Sequence, residues 1–126
     1  MRLSYKETAI VAKTPNILDS EQIRYKSGGV TIDASLVTAD ADGNKVLPVG
    51  TILAQVTATG LYAEYDSTKT DGRQTPKYLL FPDHADVTLG NGSFGAMDMG
   101  RVIIGRLPKT PDATVISALK NITFVD

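Results

Sequence analysis

From Lys45 to Asp66 the chain reads KVLPVGTILAQVTATGLYAEYD, and apolar positions there recur with a period of two. Ile52, Ala54, Val56 and Ala58 alternate with Thr51, Leu53, Gln55 and Thr57, which predicts a half-buried strand with one apolar and one mixed face. Ahead of it, Leu47, Pro48, Val49 and Gly50 predict a turn with Pro at its second position and Gly at its fourth. Behind it, Thr59 and Gly60 reverse the chain into Leu61, Tyr62, Ala63, Glu64 and Tyr65. The pair is expected to be a hairpin at the centre of the fold.

Residues 1–29 carry apolar side chains without a helical or strand period: Leu3, Tyr5, Ile10, Val11, Ile17, Leu18, Ile23 and Tyr25. Such a segment either packs across the domain or orders on a partner. Gly28 and Gly29 separate it from the regular part, so the expected division is an arm over 1–29 and a β-rich domain over 30–126. Val30, Ile32, Ala34 and Leu36 or Val37 predict the first strand of that domain. A polar loop, DSTKTDGRQTPK, follows Tyr65 and leads to a short buried run at Tyr78–Phe81 between Pro76 and Pro82. Gly90, Gly92, Gly95 and Gly100 read as bends or bulges. Arg101–Leu107 is expected to be a further buried strand, closed by Pro108. Thr110 as cap, Pro111 in the first helical position and Asp112 in the first turn open a helix of about three turns, with Val115, Ile116 and Leu119 on one face. A last strand follows at Ile122–Val125. The expected fold class is mainly β with one short C-terminal helix, an α+β arrangement.

A chain of 126 residues suits one domain and buries roughly two-thirds of its unfolded surface. Its composition, 42% apolar and 21% charged, argues against extensive disorder. No apolar run approaches the roughly 20 residues that span a bilayer. Lys6, Glu7 and Lys13 interrupt the start, MRLSYKETAIVAKTP, before a signal-peptide core develops, so synthesis in the cytoplasm is expected. Absence of cysteine excludes disulfides and thiolate zinc sites. A net charge of −1, with neither sign gathered into a run, disfavours nucleic-acid binding through a basic patch.

Three patterns invite chemistry. Asp40, Asp42 and Asn44 take the first, third and fifth positions of a calcium loop, but Lys45 stands where Gly is needed and Thr51 where Glu is. Asp83, His84 and Asp86 form an acid and imidazole group that a hydrolase or metal site would use, yet no nucleophile or second imidazole accompanies them. The glycines lack the spacing of phosphate-cradling loops. A carbohydrate-binding module would need an aromatic platform; Tyr62 and Tyr65, three apart, fall on opposite faces of a strand. No catalytic, cofactor or metal residue is therefore assigned.

The succession VTIDASL, LPVGTILAQVT, GLYAEYD, DGRQTPKYLLF, GRVIIGRLPK and PDATVISALKNITFV resembles the lambda head decoration protein and its relatives, the cement proteins on the outside of tailed-phage capsids. The resemblance covers residues 30–126. It implies a compact domain with an extended N-terminal arm and a location on the outer surface of the virion. It further implies a homotrimer at three-fold sites that strengthens the shell against DNA pressure, and no enzymatic activity. The implied partner is the major capsid protein, without nucleic acid, membrane or cofactor. The arm residues expected to contact the capsid are Leu3, Tyr5, Ile10, Val11, Ile17 and Leu18.

Overall fold

The computed structural model describes residues 17–19 and 22–126. Among them lie strands β1 (Arg24–Tyr25), β2 (Val30–Ile32), β3 (Val46–Leu47), β4 (Ile52–Gln55), β5 (Tyr62–Glu64), β6 (Pro76–Leu80), β7 (Ala85–Asp86), β8 (Gly92–Phe94), β9 (Ala96–Ile103) and β10 (Ile122–Val125), with one helix, α1 (Ala113–Ala118). One sheet runs β1-β9-β6-β4-β5-β2-β8, with β10 parallel to the second half of β9; β3 and β7 form a separate ribbon. Among the described residues the protein is mainly β with a single short helix, as its patterning predicts.

The expected hairpin is present: β4 and β5 are antiparallel, and the Val56 N–H donates to the Leu61 carbonyl at 2.8 Å. Its burial differs from expectation. Ile52, Leu53 and Ala54 are all buried, because β4 lies inside the sheet with β6 and β5 on either side and each face of that sheet carries a core. Leu53 joins Val30, Ile32, Leu47, Leu80 and Val87 on one face. Ile52 joins Leu79, Met97, Val102, Val115 and Ile122 on the other. A strand buried on both faces keeps no mixed side.

The turn before β4 sits one residue later than expected. The Thr51 N–H and hydroxyl both donate to the Pro48 carbonyl, at 3.2 and 2.6 Å, which puts Gly50 in the third position with φ +92°. That position needs a residue free to adopt positive φ. A side chain there would also press on Leu107 and Pro108. The first domain strand stops at Ile32, because the Asp33 carboxylate accepts from the Ser35 N–H at 2.9 Å and caps a 3₁₀ turn over Ala34–Leu36. In α1 the cap is Asp112, which accepts from the Val115 N–H at 2.9 Å; Thr110 does not cap it. The helix is six residues long, and of its expected apolar face Val115 and Leu119 are buried while Ile116 is exposed.

Strand β9 is longer than its apolar run. Arg24 and Tyr25 pair with Met99 and Met97, leaving Asp98 as an extra residue on β9. The bulge switches which side chains face inward. Met97 and Val102 therefore share one core although they lie five positions apart, an odd offset that puts side chains on opposite faces of a regular strand, and Met99 and Arg101 are exposed.

Candidate interaction surfaces

Packing does not begin at the glycine pair. Ile17 is fully buried against the helix-side core, with Leu18 and Ile23 packed beside it. The Asp19 N–H donates to Arg101 at 2.9 Å, and the Ile103 N–H donates to Ile17 at 2.7 Å, so residues 17–19 run antiparallel along β9. Ion pairs Asp19–Arg101 at 2.9 Å and Arg24–Asp98 at 2.8 Å line the same edge, and Tyr25 stacks on Phe81. Two of the expected capsid-contact residues, Ile17 and Leu18, thus contribute to this domain's own core. The other four, Leu3, Tyr5, Ile10 and Val11, lie outside the described residues. Sequence reading set the boundary at the glycine pair because the apolar positions before it follow no period; of the two alternatives for that segment, Ile17, Leu18 and Ile23 take packing across the domain.

A cleft of about 520 Å³ opens where the chain leaves this edge. Gly50, Thr51 and Ile52 line it together with Val115; Glu64, Tyr65, Asp66 and Arg73 flank them on one segment, and residues 108–112 on another. Lys109 pairs with Glu64 at 2.8 Å, and the Tyr65 hydroxyl donates to Asp112 at 3.1 Å. Burial and the adjacent Asp112 carboxylate push the Tyr65 hydroxyl upward from its ordinary range. Its position follows from the loop over 66–75, which closes back on the hairpin through Thr57 N–H to Asp71 and Asp66 N–H to Arg73, both at 2.9 Å. Gly72 holds φ +115° there, and a side chain on it would strike the Gln55 carbonyl. The Arg73 guanidinium holds the Asp71 carboxyl down at about 2.

The acid and imidazole group is taken apart by local structure. His84 Nδ1 accepts the N–H of fully buried Val49 at 2.9 Å, so the ring supports a backbone turn. Asp86 accepts the Thr88 N–H and hydroxyl at 3.0 and 2.6 Å, which lowers its carboxyl below the usual range. The same D-x-S/T arrangement recurs at Asp33–Ser35 and Asp66–Thr68. Asp40 likewise accepts the N–H groups of Asp42 and Asn44, at 2.8 and 3.0 Å, making a closed turn of the would-be calcium loop. Among the described residues, no three His, Asp or Glu side chains converge as metal ligands. Tyr62 is buried with its ring 5.9 Å from that of Tyr78, and Tyr65 faces the cleft, so neither serves an open sugar platform.

His84→Ala is therefore expected to lower stability by about 1–3 kcal/mol, the cost of orphaning a buried N–H. Urea titration of the variant against the parent reads this directly, and an unchanged midpoint would show that water replaces the ring.

Five large apolar side chains are exposed among the described residues: Tyr25, Val46, Leu89, Met99 and Ile116. Leu89 is wholly exposed, on the turn that links β7 to β8.

No curated protein and no solved structure matches this chain. The family model of bacteriophage lambda head decoration protein D matches residues 11–94, which is 84 of the 126 residues, or two-thirds of the chain. That span holds β1 to β8, the hairpin and the loop over 66–75, along with the docked residues 17–19. The chain belongs to the bacteriophage lambda head decoration protein D family.

Proposed function

We propose that this protein is a cement protein of a phage head, bound to the outer surface of the shell as a homotrimer at three-fold sites. There it stabilises the capsid against the pressure of packaged DNA, with the major capsid protein as its partner and no catalytic role. The observation that carries this reading is the family match over residues 11–94. A second support is chemical. Of Asp83, His84 and Asp86, the group that a hydrolase would recruit, His84 and Asp86 are engaged in holding turns. Upstream of the described domain, Leu3, Tyr5, Ile10 and Val11 remain as apolar side chains for contact with the shell, in a mode that pairs the segment with an exposed strand edge.

Electron microscopy of shells assembled with and without the protein tests the location, and density at three-fold positions is the expected result. Particles that carry none of it when it is added in excess would end the proposal. Light scattering tests the stoichiometry separately. A mass of three chains is expected, on the shell or free, since a small domain without disulfides gains stability by burying surface against copies of itself. A single chain in both settings would remove the trimer.

A further inference from the structure

Strand β10 is paired along one edge, to β9, and its register there is unbroken: Ile122–Val125 match Gly100–Ile103 one for one. The Gly100 N–H donates to the Asn121 carbonyl at 3.1 Å, which fixes the phase of the ladder. Alternate residues of a strand bond the same neighbour. Thr123 and Val125 therefore turn their N–H groups to β9, while Ile122 and Phe124 turn theirs away. The Ile122 N–H is used, because it donates to the Leu119 carbonyl at 3.1 Å and ties the strand to the end of α1. Among the described residues nothing bonds the Phe124 N–H, the Phe124 carbonyl or the Ile122 carbonyl. Open edges usually carry a charge, a proline or a bulge that keeps further strands away. The sequence of β10, ITFV, has none of these. The other ends of the sheet suit an incoming strand less well: β1 carries Arg24, paired with Asp98 at 2.8 Å, and β8 holds three residues, one of them glycine.

We infer that β10 is a docking edge for an extended segment of the shell protein, which adds to the sheet as its next strand. The inference rests on the capsid reading above. Main chain is what the edge selects, since the Phe124 N–H and carbonyl and the Ile122 carbonyl are spaced to bond alternate residues of an extended partner. Charge sets the flanks of that partner. Lys120 and Asp126 are exposed at the two ends of the strand, and no ionised side chain lies between Ile122 and Val125. A matching segment is uncharged over about four residues, with an acid toward Lys120 and a base toward Asp126. Symmetry excludes a second copy. Pairing the same edge of two copies is an isologous contact about a two-fold axis, and a ring of three has no such axis.

Hydrogen exchange on the full-length protein, free and bound to empty shells of the major capsid protein, reads the edge directly. The Phe124 amide is expected to exchange fast in the free protein and at least about tenfold more slowly on the shell, with Thr123 and Val125 protected in both states. Protein that binds while the Phe124 amide stays fast would overturn the inference and leave the capsid reading standing. Protein that does not bind shells at all would end both. Protection that appears in the free protein and grows with its concentration would give the edge to a second copy and also overturn the assignment. Two variants then separate the main chain from the ring. Phe124→Pro removes the outward N–H at a place where an edge strand tolerates proline, and Phe124→Leu keeps it. Both are expected to melt within a few degrees of one another, with Phe124→Pro binding shells about tenfold more weakly than Phe124→Leu. Equal binding by the two would overturn the inference. Should Phe124→Pro fail to fold, exchange at Phe124 in the unaltered chain decides.

Discussion

Leu53→Asp is expected to leave the chain unfolded at room temperature. Leu53 is fully buried in the middle of the sheet, among Val30, Ile32, Leu47 and Leu80. An isolated carboxylate placed there loses its hydration and forfeits the apolar contacts of the leucine, at a cost of several kcal/mol on each count. A domain of ordinary stability has about 5–15 kcal/mol in hand. The neighbouring change, Ile52→Asp, is expected to be milder, because Ile52 lines the cleft and a carboxylate there reaches water. Circular dichroism and a thermal scan on both variants make the comparison. A cooperative melt for Leu53→Asp within a few degrees of the parent would mean that this face of the sheet is not closed.

The difference between those two residues marks the limit of what patterning shows. Alternation located the strand and the hairpin, because period two is a local property of the backbone. It assigned Leu53 to a mixed face, because burial on the second face depends on elements distant in sequence: β2, the β3–β7 ribbon and the start of β9. Those elements are short and rich in glycine or small residues. In GNGSFGAMDMG no period survives, since β8 holds three residues and β9 carries a bulge at Asp98. Boundaries set by one hydrogen bond slipped for a different reason. Pro48 and Gly50 announce a turn, but which residue takes positive φ is settled by the Thr51 hydroxyl and amide closing on Pro48. Thr110 and Asp112 are both good caps, and the carboxylate that reaches the Val115 N–H prevailed.

Side-chain chemistry was less legible than the fold. Asp86 looked available for catalysis until its D-x-T turn closed, although the motif itself is visible in the sequence and recurs at Asp66 and, with serine, at Asp33. His84 stood in the sequence as an imidazole beside Asp83 and Asp86 without a nucleophile or second imidazole. Its acceptor role toward Val49 joins positions 35 residues apart, and no local pattern encodes it. The cleft has the same origin: it exists because the loop over 66–75 and the 108–112 segment are brought beside Gly50, one by hydrogen bonds to the hairpin and the other by the end of β9.

Deleting residues 2–28 should abolish folding, not merely partner binding. The truncation removes Ile17 from the core, together with the packing of Leu18 and Ile23 against Met97 and Val102. It also strips β9 of its outer partner over much of its length, leaving the groups that bond Ile17, Asp19 and Lys26 without protein partners. Losing one fully buried Ile to Ala alone costs about 2–5 kcal/mol, so Ile17→Ala should by itself lower the denaturation midpoint markedly, and the loss of three such contacts plus a strand exceeds what a small domain holds in reserve. Removal of residues 2–10, in contrast, keeps Ile17, Leu18, Ile23 and the bonded backbone of Asp19 and Lys26 in the chain. The two truncations therefore separate an arm from a core strand. If the chain lacking residues 2–28 melts cooperatively near the parent temperature, residues 17–25 are dispensable to the fold and the boundary belongs at Gly28 and Gly29 after all. If it is expressed unfolded while the chain lacking residues 2–10 is native, any capsid-binding defect of the larger deletion reports lost structure, and only the smaller deletion can measure what the arm contributes to binding.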